Sequence, residues 1–131
     1  MFQLTLLCVG KLKEKFYLEA CREYEKRLGG YAAIQVVELP EGRSRAEEAA
    51  ALRARVPKGA WLCVFTPEGR QLSSEQLAAK LADLKTAGRS AACFVIGGSE
   101  GIDAEFKRQA DFRLSVSPMT FPHHLFRVMA L

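Results

Sequence analysis

Apolar residues run almost without a break from Phe2 to Val9, a pattern that predicts a first strand. From Lys13 to Leu28 the spacing becomes helical, with Phe16, Ala20, Tyr24 and Leu28 along one face, and Gly29-Gly30 stops the run. Ile34 to Leu39 is a second strand, ended by Pro40-Glu41-Gly42. Ala46 to about Val56 is a shorter, alanine-rich helix that Pro57-Lys58-Gly59 breaks. Ala60 to Phe65 predicts a third strand, followed by the turn chemistry of Thr66-Pro67-Glu68-Gly69. Ser73 with Gln76 forms a capping-box pattern, opening a helix that buries Leu77, Leu81 and Leu84 and closes at Gly88. Ala91 to Ile96 is a nearly continuous apolar strand. Asp103 caps a helix to about Ala110, Phe112 to Val116 is a short fifth strand, and a last helix begins after Pro122 and covers His123 to Leu131.

Strands alternating with helices predict an α/β fold with a mostly parallel sheet covered on both faces. At 131 residues the chain is read as one domain, residues 1–131. In such sheets ligands bind beyond the C-terminal ends of the strands. The loops to consider are therefore Gly10-Lys11, Pro40 to Arg45, Thr66 to Arg70, Gly97 to Gly101 and Ser115 to Phe121.

Two of these loops carry candidate chemistry. In Phe94-Val95-Ile96-Gly97-Gly98-Ser99-Glu100-Gly101-Ile102 a buried strand runs into glycines with one carboxylate among them. Glycine lets a ligand approach the backbone closely. The pattern is neither the G-x-G-x-x-G of a dinucleotide fold, which follows the first strand, nor a Walker sequence. In Leu114 to His124, Pro118 and Pro122 bracket small and apolar residues that cannot form regular helix or a central strand. A stiff loop of this kind offers backbone N–H and C=O groups to a purine and a thioether. His123 and His124 are the only histidines; as helical neighbours they diverge, so no metal site is expected, and either could serve as a general base or contact RNA.

Composition narrows the class. Hydrophobic residues make up 49% and charged residues 26%, an ordinary globular balance. No apolar run reaches the roughly 18 residues of a membrane span, and the opening residues read as a strand rather than a signal peptide. Cys8, Cys21, Cys63 and Cys93 form no C-x-x-C pair, and three of them lie in strand-like runs, as buried, reduced thiols of a cytoplasmic protein would. The net charge is +4, with basic clusters at Lys11, Lys13 and Lys15 and at Arg43, Arg45, Arg53, Arg55 and Lys58. Such clusters suit a polyanion or simply a solvated face.

Across its length, and in order, the chain resembles the RlmH (YbeA) family of SPOUT ribosomal RNA methyltransferases. The matching pieces are Val9-Gly10-Lys11-Leu12-Lys13, Leu62 to Arg70 continuing into Gln71-Leu72-Ser73-Ser74-Glu75, Phe94 to Ile102, and Leu114 to Arg127 around Met119-Thr120-Phe121-Pro122-His123. The resemblance implies a Rossmann-like SPOUT fold with a C-terminal trefoil knot, a homodimer, and S-adenosylmethionine as cofactor. The implied reaction is methylation of N3 of a pseudouridine in 23S ribosomal RNA. It places cofactor contacts on Phe65, where leucine is usual, on Gly97, and on Val116, Ser117, Pro118, Met119, Thr120 and Phe121. Glu100 and His123 are the catalytic candidates, and Lys11, Lys13, Arg43, Arg45 and Arg127 are candidates to contact the RNA. Family members continue past the last helix into an aromatic and basic segment. A chain ending at Leu131 is therefore expected to leave the knot and pocket incomplete and to act weakly. Two alternatives stand beside this reading: a non-catalytic RNA-binding dimer, and a nucleotide-binding α/β enzyme of another class.

Overall fold

The computed structural model describes every residue from Met1 to Leu131. Five strands and five helices alternate: β1 (Gln3–Val9), α1 (Lys15–Leu28), β2 (Ala33–Leu39), α2 (Arg45–Arg55), β3 (Trp61–Gln71), α3 (Ser74–Thr86), β4 (Ala91–Ile96), α4 (Ala104–Gln109), β5 (Phe112–Ser115) and α5 (His123–Ala130). The strands form one sheet in the order β2-β1-β4-β3-β5, and every pair is parallel. A parallel sheet must be covered on both faces. Leu7 and Val9 of β1, Val64 of β3 and Val95 of β4 meet Ala49 and Leu52 of α2 and Phe106 of α4 on one face. On the other, Trp61, Cys63 and Ala92 lie under Leu77, Leu81 and Leu84 of α3, while Leu6, Cys8 and Ile96 lie under Phe126 and Ala130 of α5. Residues of both parities in β1 and β4 are thus buried, which explains their unbroken apolar runs. Each such aliphatic side chain contributes about 1.5–3 kcal/mol on burial.

Helix starts follow local chemistry. Ser44 and Ser73 accept hydrogen bonds from the N–H groups of Glu47 and Gln76, and Gln76 returns the bond to Ser73, completing the capping box. Asp103 Oδ2 accepts from Phe106 N–H at 3.2 Å. Two expectations need correction. The stripe Phe16-Ala20-Tyr24-Leu28 is not the buried face of α1: Phe16 is 64% exposed, and Cys21 is the buried residue. The helix packs on α5 as well as on β2, and Glu14 at its start bonds His124 Nδ1 at 2.9 Å, so tertiary contacts set its rotation. The second correction is at β3, which does not end at Phe65. Leu114 pairs with both Phe65 and Arg70, so residues 66–69 leave the ladder as an excursion and the strand resumes. An added Cβ at Gly69 would lie 2.7 Å from the backbone carbon and oxygen of Arg113, so only glycine permits β5 to run this close.

α5 is fastened to the sheet by Arg127, which is 3% exposed. Its guanidinium bonds the Glu38 carboxylate of β2 and donates to the Gly10 carbonyl beyond β1 at 3.0 Å. Burial acts to raise the pKa of Glu38, but the Leu12 N–H and Arg127 outweigh it and hold the carboxyl below its ordinary 4.5. Glu38 retains about a third of its side-chain exposure and can rehydrate. Arg127→Met should therefore lower stability by about 2 kcal/mol, less than a fully buried pair would lose. Denaturant titration should show that difference above pH 4.5 and its decline as the pH falls through the depressed folded value. An unchanged midpoint would show that the pair holds nothing.

All four cysteines are free and buried. Burial pushes the thiols of Cys8, Cys63 and Cys93 from 9.0 up to about 12 and raises Cys21 as well. Thiol reagents at pH 8 should label the native protein far more slowly than the unfolded chain. The folded state keeps protons that the unfolded chain loses, so stability should fall as the pH rises from 9.0 towards about 12. Rapid native labelling would contradict this packing.

Candidate functional site

After β3 the chain crosses to α3 on one face of the sheet, and after β4 it crosses to α4 on the other. The exits of adjacent parallel strands diverge, which opens a crevice at their C-terminal ends. A cavity of about 330 Å³ lies there, within the range of small-ligand sites. Its lining comes from the β3 excursion, the glycine loop after β4, the segment after β5 and the start of α5.

The glycine loop is a tight turn: Gly101 N–H donates to the Gly98 carbonyl at 3.0 Å, and the two residues form an isolated bridge. A Cβ at Gly97 would meet Ile102 Cγ1 at 2.5 Å and the Gly101 carbonyl oxygen at 3.0 Å. Closure of the turn on itself therefore demands glycine here, a reason the sequence reading, framed around ligand approach, did not contain. The segment after β5 is held by buried Ser115, whose hydroxyl donates to the Ser117 carbonyl at 3.0 Å, and by Met119 N–H donating to Ser117 Oγ at 3.0 Å. These bonds fix the irregular backbone from Ser115 to Met119.

An aromatic row runs from the sheet to the cavity. Phe94 stacks on Phe65 with centroids 5.8 Å apart, Phe65 meets Phe126 edge-on at 5.0 Å, and Phe126 lies 6.4 Å from Phe121. Phe65, Phe121 and Phe126 line the cavity, with Met119 and Val116 exposed at its edge. Four charged side chains, Arg45, Glu68, Glu100 and Lys107, line the cavity together with the imidazole of His123. The Lys107 ammonium, 2.5 Å away, and the Thr66 hydroxyl hold Glu68 at about 2. Burial and the neighbouring His124 lower the pKa of His123 below 6.5, against the pull of Glu41, so its imidazole is neutral at pH 7. No three His, Cys, Asp or Glu side chains gather as a metal site would require.

Of the expected cofactor positions, Phe65, Gly97, Val116, Ser117, Met119, Thr120 and Phe121 line this one cavity, and Pro118 does not. Glu100 lines it too, from the glycine loop, and His123 from the start of α5. Among the expected RNA contacts only Arg45 reaches the cavity, while Lys11, Lys13 and Arg43 are exposed elsewhere. Arg127 is a correction: its guanidinium is buried and engaged by Glu38 and Gly10, so it cannot meet a phosphate. Sequence reading missed the Glu68–Lys107 pair, whose partners are 39 residues apart, and Phe126, which looked like one more apolar residue of α5.

The family described as predicted SPOUT methyltransferase matches residues 2–131. Three relatives carry the name ribosomal RNA large subunit methyltransferase H. The protein from Acetivibrio thermocellus is 40% identical over 141 residues, taking in 98% of this chain and 89% of its own length. The protein from Bifidobacterium adolescentis is 42% identical with the same coverage. That from Desulforamulus reducens is 38% identical over 143 residues, across 100% of this chain and 89% of its own. A parallel α/β sheet with its cavity at the ends of β3, β4 and β5, and a match over residues 2–131, lead to one assignment: the chain belongs to the SPOUT methyltransferase family.

Proposed function

We propose that the chain transfers a methyl group from S-adenosylmethionine to N3 of a pseudouridine in 23S ribosomal RNA, as a cytoplasmic homodimer. The observation that carries this reading is the meeting of the Phe65, Gly97 and Val116–Phe121 segments at a single cavity, in a chain whose relatives are named as methyltransferases of large-subunit ribosomal RNA. The lining fits an adenosyl sulfonium. Phe65, Phe121 and Phe126 offer apolar rings to a purine, the 97–101 and 116–120 backbones offer polar groups to its edges, and Glu68 and Glu100 suit a ligand bearing positive charge.

The cofactor supplies the electrophilic methyl group when bound. The protein's part is to hold acceptor and donor in line, keep water out and receive the N3 proton. Neutral His123 and the Glu100 carboxylate both border the cavity and are the groups available to take that proton. Lys11, Lys13 and Arg43 would meet phosphates outside the cavity and position the RNA without reading a base. The exposed Phe16 and Tyr24 of α1 and Met129 of α5, on helices that pack together, support a dimer, which sedimentation equilibrium would read directly.

S-adenosylhomocysteine should bind in calorimetric titration, and Phe121→Ala should weaken it about tenfold, the value of one aromatic wall against a base. Gly97→Val should lose binding and stability together, because its side chain meets Ile102. Equal affinity in both variants would move the cofactor elsewhere.

With large ribosomal subunits and labelled cofactor, the label should appear on N3 of one pseudouridine when the RNA is digested and analysed by mass spectrometry. Charge reversal at Lys11, Lys13 and Arg43 should weaken RNA binding and flatten its salt dependence by about one unit of slope for each phosphate no longer neutralised. The affinity for S-adenosylhomocysteine should not change. A label on another atom would refute the N3 assignment, and salt-insensitive binding would refute the role of these cations at the phosphates.

A further inference from the structure

Of the two carboxylates that line the cavity, Glu68 and Glu100, only Glu68 is held in an ion pair. It sits in the excursion of residues 66–69, where the β3–β5 ladder is interrupted. Such interruptions beside a site re-aim side chains, and the contact of Gly69 with the Arg113 backbone makes this one sterically specific. Lys107 Nζ stands 2.5 Å from Glu68 Oε1, and the lysine side chain is only 23% exposed. Both side chains line the cavity. Glu100, the other carboxylate on the rim, takes part in none of the chain's ion pairs. An ionised carboxylate has about four acceptor positions, and the lysine and the Thr66 hydroxyl take two of them, so acceptor capacity remains for a ligand. A binding group held by a charged neighbour before the ligand arrives loses little freedom on binding.

A carboxylate acceptor matches a vicinal diol, which presents two O–H donors side by side. An acidic residue beyond a strand end that takes ribose hydroxyls is a recurrent solution in parallel α/β sheets. Phe65, on the same strand as Glu68, begins the aromatic wall, and a base resting on that wall leaves its sugar to the polar rim. We infer that Glu68 accepts hydrogen bonds from the ribose hydroxyls of the adenosyl cofactor, and that Lys107 is the positioning residue that holds it there. This rests on the reading of S-adenosylmethionine as the cofactor.

The test is a titration cycle with S-adenosylhomocysteine, its 2′-deoxy and 3′-deoxy ribose analogues, and 5′-methylthioadenosine. Glu68→Ala should fold normally, since the glutamate side chain is 62% exposed. It should bind S-adenosylhomocysteine about tenfold more weakly, the scale of a hydrogen bond to a charged group. The intact protein should discriminate against at least one deoxy analogue by a similar factor, and Glu68→Ala should lose that discrimination, a change that general loosening would not produce. Lys107→Met should weaken binding several-fold and Lys107→Arg should restore it. Unchanged affinity in Glu68→Ala, or undiminished discrimination, overturns the inference. A loss seen with S-adenosylhomocysteine but not with 5′-methylthioadenosine assigns Glu68 to the amino-acid end and overturns the ribose assignment. Failure of the intact protein to bind S-adenosylhomocysteine at all defeats the cofactor reading itself, and is distinguishable because it precedes any variant.

Discussion

β5 pairs with β3 and not with β4, the strand that precedes it, and the position of every cavity-lining loop follows from that pairing. To reach the far side of β3, the chain leaves β4 through the glycine turn, crosses one face as α4, and returns parallel to β3. The exit of β3 is thereby flanked by the glycine loop on one side and by the Val116–Phe121 segment on the other. Close approach of β5 depends on Gly69, which has no side chain to strike the Arg113 backbone. The same approach expels residues 66–69 from the ladder, and their displacement brings Thr66, Pro67 and Glu68 to the cavity. One pairing and one steric allowance thus produce both the opening and part of its polar lining.

Two ion pairs in the molecule have different physical roles. Arg127 with Glu38 is buried at the arginine end and ties α5 across the ends of β1 and β2. It orients the helix whose first residues, His123 and His124, border the site and the start of α1. Desolvating the arginine is costly, and the bonds to Glu38 and Gly10 offset that cost only in this geometry. Lys107 with Glu68 lies at the cavity rim, partly solvated, where an ion pair adds little to global stability. Its effect is local: it keeps one carboxylate charged and in place. The Phe94–Phe65–Phe126–Phe121 row runs from the sheet to the lining, so the cavity has an apolar wall beside its charged groups.

The sequence by itself determined the order and type of the elements, because apolar periodicity and capping are local properties. Ser73 with Gln76, Asp103, and the run from Ala91 to Ile96 each formed the element their pattern implied. It also pointed to the loops of the site, since parallel strands collect their ligands at one end. Only the tertiary structure decided what depends on distant partners. The rotation of α1 turned Phe16 outward because α5 and β2 chose a different face. Arg127 reads in the chain as one more exposed cation, yet burial beside Glu38, 89 residues away, removes it from any surface role. Thr66-Pro67-Glu68-Gly69 has the chemistry of a turn, and whether it ends a strand or interrupts one is settled by the neighbour that pairs beyond it. Local sequence sets backbone preference, but the identity of the pairing strand and of the opposing charge is a property of the packed chain.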